Sequence, residues 1–464
     1  MITKWVQPKL FWLAIIAFGI NFCFAFQLAN LSSIFKFLGV GNAHLPLLWL
    51  IPPLTGLIVQ PIIGQMSDDT VTRFGKRKPY IIGWSFLAAA AFCCLPFAGG
   101  LGYTLFILWL IDCSLNGSSE GLRALTGDVT QSEQERSRAF ALQAFLSGLG
   151  GALGTSLPYI VNQLLIYIKP HSIEITFGQI PQNLKYAFYV TSFILLVTIF
   201  CAITFVKERI YKHNTLFVKK KKPANFFLKT SKMLKDLYNS FRKMPYHFRN
   251  VCLIHSMTWI GIFILWLYFT VTLAQNIYGL PTHHHPGNNV IYTTILQRAA
   301  LDTAKYFTLY QYVSVVYAVL LYFISPFSKI KLVHASSLLI GGMGMLSISF
   351  AQTQFALVLA FIAIGIMWGS MTVLPYAIAM QLLPKGKLGT YLGIFNISIT
   401  APQIVCGLLL SAVYKYLFLG HASYLLLIGG LFIIFSAYLW IRQEHLMRIS
   451  TYSKKTILAK NETL

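Results

Sequence analysis

Residues 54–84 read LTGLIVQPIIGQMSDDTVTRFGKRKPYIIGW. The run is mostly apolar as far as Met66. Two acids follow, Asp68 and Asp69, then the cations Arg73, Lys76, Arg77 and Lys78, and a second apolar segment opens at Pro79. A hydrophobic segment that stops at a short cation-dense connection and restarts is a membrane hairpin with its loop in the cytoplasm.

The composition extends that reading to the whole chain. Of 464 residues, 56% are hydrophobic and 11% charged, against about 25% charge in an ordinary soluble protein. Several apolar runs reach the roughly 20 residues that a helix needs to cross the hydrocarbon. The first of them is too long for a cleaved signal peptide and continues as polar-spotted helix. The net charge of +24 does not imply nucleic acid, because the cations sit in loops between spans. The seven cysteines fall in apolar segments without metal-ligand or disulfide spacing, and read as small packing residues.

The expected fold class is therefore all-α membrane protein with twelve transmembrane helices, near 10–36, 43–66, 80–98, 103–127, 139–168, 184–206, 249–278, 305–327, 332–351, 354–383, 390–418 and 422–442. Cations concentrate in alternate connections, at Arg73–Lys78, Arg136 and Arg138, Lys329 and Lys331, and Lys385 and Lys387. Both termini are accordingly expected in the cytoplasm. The one long polar connection, 207–248, carries a lysine run at 219–222 and a weakly amphipathic stretch at 226–241 suited to anionic lipid. It divides a six-helix bundle, 1–206, from a second, 249–442, with a cytoplasmic tail at 443–464.

Charge inside the membrane concentrates on the fourth span. Asp112, Asn116, Ser119 and Arg123 fall within about 60° of one another on a helix, with Glu120 beside them. A charge in the hydrocarbon is costly and marks function or a partner. The bland alternative is a strut in which Glu120 pairs with Arg123 at i,i+3. Arg123 lies about 16 Å along the axis from Asp112 and is no static partner for it. A carboxyl shielded from water is the kind of group that takes a proton on one side and releases it on the other. Asp112 is thus the candidate proton carrier, with Arg123 attracting the released charge or a substrate hydroxyl and Glu120 balancing it. Asp128, on the other side of the helix, is expected to brace the basic loop.

The second half offers aromatics and amides instead: Trp259, Trp266, Trp368, Gln381, Asn396 and Gln403, with no acid expected inside a span. Aromatic faces stack on sugar C–H surfaces, and amides both donate to and accept from hydroxyls. Gln27, Asn116, Trp259, Asn396 and Gln403 are expected to line a central cavity. Gly148, Gly150, Gly151 and Gly154 follow no dinucleotide pattern and read as close helix packing. The histidines at 283–285 have no carboxylate or cysteine nearby, so no metal site is expected.

The opening loop resembles the signature of the major facilitator superfamily, G-x-x-x-D-(R)-x-G-R-R-K. Gly64 and Asp68 stand at its start, and Gly75, Lys76, Arg77 and Lys78 at its end. The longer spacer, with Val-Gln-Pro before it and Arg-Phe-Gly after it, is similar to the sucrose–proton symporter branch of the glycoside–cation symporters. So are Ala25-Phe-Gln27-Leu, Asp112 with Arg123-Ala-Leu-Thr-Gly-Asp128, Thr258-Trp259 through Tyr278-Gly279, and Leu388-Gly-Thr-Tyr-Leu-Gly393 with Asn396 and Ala401-Pro-Gln403. The third of these stretches is nearest to bacterial α-glucoside members. Two features depart from the branch: Asp69 stands where an Arg is usual, and helices seven and eight offer no acid.

The resemblance implies two six-helix bundles of the major facilitator fold, in the inner membrane of a bacterium. It implies a monomeric secondary transporter, without cofactor, that moves a glucoside or disaccharide with a proton by alternating access. Gly64, Asp68, Arg73, Gly75, Lys76, Arg77 and Asp128 would form its gating loop, with Asp68, Arg73, Lys76 and Arg77 making charge-assisted bonds to neighbouring helix ends in one of the two access states. The competing readings are a facilitator or exporter of another small polar solute, and a non-transporting receptor or scaffold on a transporter fold. No nucleophile–base pair or nucleotide loop supports an enzyme or an ATP-driven pump.

Overall fold

The computed structural model describes residues 8–70, 72–97, 99–130, 133–168, 180–206, 208, 241–282, 290–324, 330–382 and 388–461. Twelve long helices cover almost all of them: α1 (Pro8–Phe37), α2 (Ile51–Asp69), α3 (Lys78–Cys94), α4 (Leu101–Val129), α5 (Glu133–Ile168), α6 (Gln182–Phe205), α7 (Tyr246–Asn276), α8 (Val290–Ile324), α9 (Ile330–Ile348), α10 (Gln354–Gln381), α11 (Leu388–Ala412) and α12 (Ala422–Asn461). Ten of the described helical segments are long and apolar enough to cross a membrane. The other two long helices, α4 and α8, each carry both acidic and basic side chains.

Three boundaries differ from the sequence reading. The second span is broken, with short turns over 42–48 before α2, where Pro52 and Pro53 occupy the helix start that proline favours. The segment after 443, expected as a separate tail, continues α12 to Asn461, since it contains no helix breaker. The eighth helix begins at Val290 rather than 305, which places Asp302 inside it. Asp302 is 6% exposed, so the reading that helix eight offers no acid is corrected. The helix tolerates these charges because each has a partner. Lys305 Nζ lies 2.6 Å from Asp302 Oδ1, Tyr278 donates its hydroxyl to Asp302, and Arg298 stands over the Tyr278 ring. Burial, then the Asp302 contact, pushes the Tyr278 phenol up to about 12.

The glycines of α5 divide its surface. Gly150 and Gly154 let α5 lie directly on the α1 backbone at Phe18 and Phe22. Gly148 and Gly151 face α8 instead, at Val315 and Gln311. Thr308 of α8 adds a hydroxyl bond of 3.2 Å to Thr155. One helix thus holds its own bundle by one face and meets the other bundle by the next.

At the end away from the basic loop the two bundles are sealed together. Ser32 donates to the Leu267 carbonyl (3.1 Å) and accepts from Trp49 Nε1 (3.0 Å), and Asn42 donates to Tyr414 (2.9 Å). Gly407 of α11 leaves only enough space for Leu50 and the Pro46 carbonyl. The expected lysine run at 219–222, the amphipathic stretch over 226–240 and the histidines at 283–285 lie outside the described residues.

Candidate functional site

α4 is fixed by its small residues. Gly117 and Gly121 admit Trp84 and Ile81 of α3 at close range, and Ser85 and Ser118 share a 2.7 Å hydrogen bond. That packing uses one face of α4 and turns Asp112, Asn116, Glu120 and Arg123 away from α3.

Asp112 is 1% exposed and Gln27 of α1 is fully buried. The two side chains interact, yet neither carboxyl oxygen of Asp112 and neither amide atom of Gln27 reaches hydrogen-bond geometry with any protein group. Below this pair a bonded string begins. Asn116 donates to the Asp112 main-chain carbonyl (2.9 Å) and to Thr55 (3.4 Å), and accepts from Gln60 Nε2 (2.7 Å). Gln60 in turn accepts from Arg123 Nη1 (3.2 Å), and Arg123 stands 3.5 Å from Glu120 Oε2. On the other bundle, the Tyr376 hydroxyl of α10 donates to Asn396 at 3.4 Å.

The basic loop is pinned from two helix ends. Arg77 donates from Nε to Asp128 Oδ2 (2.9 Å) and from Nη1 to Ser67 (2.5 Å). Glu208, just beyond α6, accepts the main-chain N–H groups of Lys76 (2.7 Å), Arg77 (3.0 Å) and Lys78 (3.3 Å), so a carboxylate caps the start of α3 where the helix dipole favours it. Gly75, at φ +107°, lies against Glu208, where a side chain would be strained by the backbone and blocked by the carboxylate. The Arg73 guanidinium lies over the Phe74 ring at 4.9 Å. Gly64 faces Glu120. The Asp68 side chain lies outside the described residues.

A cavity of about 690 Å³ opens between the bundles. Asn21, Ala25 and Leu28 of α1 and Ser147 and Gly151 of α5 form one wall, and Trp266, Tyr310, Gln311 and Trp368 the other. It extends towards the basic-loop side, reaching Ala144 of α5 and Leu321 of α8. No Asp, Glu, Lys or Arg lines it among the described residues. Its aromatic wall is a cluster: Trp259, Trp266 and Trp368 meet edge to face with centroids 5.7–6.0 Å apart. Trp368 Nε1 donates to Gln311 Oε1 at 3.2 Å.

None of Gln27, Asn116, Trp259, Asn396 and Gln403, expected to line a central cavity, is among the lining residues of this one. Helix phase is the reason on α1, where Ala25 and Leu28 face the cavity and Gln27 is turned towards α4. Trp259 stands behind Trp266 and Trp368, held by a 2.8 Å bond to the buried His255. Asn116 is tied up in the α2–α4 string, Asn396 meets Tyr376, and Gln403 is 7% exposed. Missed from the sequence were Gln60, Glu208, Gln311, Asp302 and His255. Gln60 sits inside the Val-Gln-Pro motif, which was a usable signal; Glu208 and Gln311 had none.

The chain matches the Major Facilitator Superfamily family model over residues 10–405. It is 26% identical over 434 residues to the sucrose transport protein SUC4 of Arabidopsis thaliana, covering 84% of this chain and 81% of that one. Over 451 residues it is 24% identical to the sucrose transport protein SUT3 of Oryza sativa subsp. japonica, covering 86% and 85%. Among solved structures, a study of substrate recognition in proton-dependent oligopeptide transporters gives a TM-score of 0.66 at 12% identity, covering 96% of this chain and all of that one. The nucleoside transporter NupG gives 0.65 at 11%, covering 94% and 100%. At such identities these structures show a shared fold and nothing more.

Proposed function

The chain belongs to the major facilitator superfamily and is an integral membrane transporter rather than an enzyme, and from that premise we propose proton-coupled symport of a glucoside or disaccharide. The observation that carries the coupling is the buried Asp112–Gln27 pair, with all four polar side-chain atoms unbonded. Burying an ionised carboxylate without hydrogen bonds costs several kcal/mol. Such a position suits a group that exchanges a proton when water reaches it.

The cavity supports a neutral, hydroxyl-bearing substrate. Its volume lies within the range of small-molecule sites, and its lining pairs tryptophan faces with the amides of Asn21 and Gln311. α1 serves both sites, with one face on the cavity and the next towards Asp112, so a rotation or tilt of α1 links substrate occupancy to proton access. The sealed and open ends correspond to an inward-facing state if the basic loops are cytoplasmic, as the positive-inside rule requires. On that orientation both termini are cytoplasmic, and the bacterial character of the Thr258–Gly279 resemblance favours a bacterial inner membrane.

The test is uptake of labelled disaccharides into proteoliposomes of the full chain with and without an imposed pH gradient. Gradient-driven accumulation supports symport, and equilibration without it indicates a facilitator. Flux of no solute indicates a receptor on a transporter fold.

A further inference from the structure

Two amides line the cavity from opposite bundles, Asn21 of α1 and Gln311 of α8, and the direction of each is fixed by the bonds at its far end. Asn21 donates from Nδ2 to the Ala17 carbonyl (3.1 Å) and to Ser147 Oγ of α5 (3.0 Å). A main-chain carbonyl only accepts, so Nδ2 and Oδ1 cannot be exchanged. The amide thus commits its NH₂ to the N-terminal bundle and keeps Oδ1, an acceptor, for the cavity.

Gln311 is set the opposite way. Trp368 Nε1 donates to Gln311 Oε1 at 3.2 Å, and an indole N–H only donates. The carbonyl is thereby used, and Nε2, with its two hydrogens, is the end that remains. It reaches across towards α5, 3.6 Å from where a Cβ of Gly151 would stand. One turn nearer the sealed end Thr308 bonds Thr155, so Gln311 stands near the closed end of the cavity, with Trp266 and Trp368 beside it.

We propose that these two amides read the substrate with opposite polarity: Asn21 accepts a hydrogen bond from one hydroxyl of the sugar, and Gln311 donates one to another of its oxygens. This names the specificity of the cavity and rests on its reading as the sugar site. An ammonium has hydrogens for Asn21 but no lone pair for Gln311. A carboxylate has lone pairs for Gln311 but no hydrogen for Asn21. Hydroxyls supply both, so the pair selects a neutral polyol over either ion. A sugar bonded at both ends also touches both bundles at once.

The probe is labelled sucrose or maltose, whichever the wild-type protein exchanges by counterflow in proteoliposomes. Its competitors are the monodeoxy and monodeoxyfluoro derivatives of the same sugar, one hydroxyl position at a time. Deoxygenation removes donor and acceptor together, whereas fluorine keeps a weak acceptor and cannot donate. At one position both substitutions should weaken competition by about tenfold, the scale of a hydrogen bond lost with its partner left unpaired; this is the hydroxyl that donates to Asn21. At a second position deoxygenation should cost about tenfold and fluorination much less, which marks the oxygen that accepts from Gln311. Asn21→Ala should abolish the first penalty and keep the second, and Gln311→Ala the reverse. A merely structural role for either amide would weaken the parent sugar and all derivatives alike.

Penalties of one class only in the wild type overturn the proposal, whether or not the variants fold. A penalty that survives in the variant meant to abolish it, or that moves to the other variant, overturns it as well. Each of these outcomes leaves the sugar reading standing, because the parent sugar is still exchanged. A wild type that exchanges neither sucrose nor maltose overturns the sugar reading and this proposal with it.

Discussion

Gln27 of α1 and Asp112 of α4 face each other in the N-terminal bundle with none of their four side-chain polar atoms hydrogen-bonded. Leaving buried polar groups unpaired costs about 1–3 kcal/mol each, and a fold keeps such a cost where a second state uses the groups. Asp112→Asn removes the titrating group at nearly constant shape. Counterflow of sugar should persist in this variant while pH-driven accumulation disappears. Accumulation that survives would shift the proton site elsewhere, to Glu120 first. A variant that no longer binds would make Asp112 a substrate ligand.

The capping of α3 by Glu208 gives a second prediction. Three main-chain N–H groups and the Arg77–Asp128 pair, 2.9 Å long, hold the loop between α2 and α3 against the ends of α4 and α6. Asp128 is 45% exposed at its side chain, so the ion pair alone contributes little after solvent screening. Glu208→Ala should slow turnover by about tenfold, the scale of charge-assisted hydrogen bonds lost together, and Asp128→Asn by less. The apparent sugar affinity should stay near wild type in both. Equal effects of the two variants on turnover would contradict the ranking.

How much of this was legible beforehand differs by region. The spans were legible because twenty-residue apolar runs have few alternatives, and Asp112 stood out because a carboxylate among Leu, Ile and Cys is rare. Asp302 was not legible: its neighbours Arg298 and Lys305 made the segment look like a loop. Only the fold brings up Tyr278 and Tyr159, which make those charges tolerable inside a helix. Gln27 was legible as a polar group on α1, but its direction depended on how α1 is rotated, which the glycines at 150 and 154 set. Gln311 and Glu208 were not legible, because their partners Trp368 and the 76–78 amides are distant in sequence.

The cavity yields a third prediction. Trp368 and Gln311 line it and bond to each other, whereas Trp259 packs behind them. Gln311→Ala and Trp368→Ala should therefore raise the apparent KM for sugar more than Trp259→Ala does, by about tenfold for one or two hydrogen bonds or a stacking face lost. The comparison is of KM among variants matched for membrane abundance. A larger rise for Trp259→Ala would return the binding face to the position expected from the sequence.

The last prediction concerns the seal at the end away from the basic loop, where a cation of one bundle rests on an aromatic ring of the other. Lys305 of α8 places Nζ 5.0 Å from the ring centroid of Tyr159 on α5, while Asp302, one helical turn earlier and 2.6 Å away, holds it. Asp302 is held in turn by the Tyr278 hydroxyl. Because the Lys305 side chain is 47% exposed, its ion pair counts for little by itself. The contact with Tyr159 is the part that crosses between bundles, and a half-exposed cation–π pair contributes about 0.5–1 kcal/mol. Removing it shifts a two-state equilibrium by roughly two- to fivefold towards the state in which this end is open. Lys305→Met and Tyr159→Leu should each raise labelling of a cysteine placed at Thr155, beneath the seal, by a reagent supplied from that side. The double variant should label no faster than either single one, since both remove one contact. Additive effects would mean that the two residues act separately, and unchanged labelling in both would assign the seal to the Ser32–Leu267 and Asn42–Tyr414 bonds and the packing at Gly407.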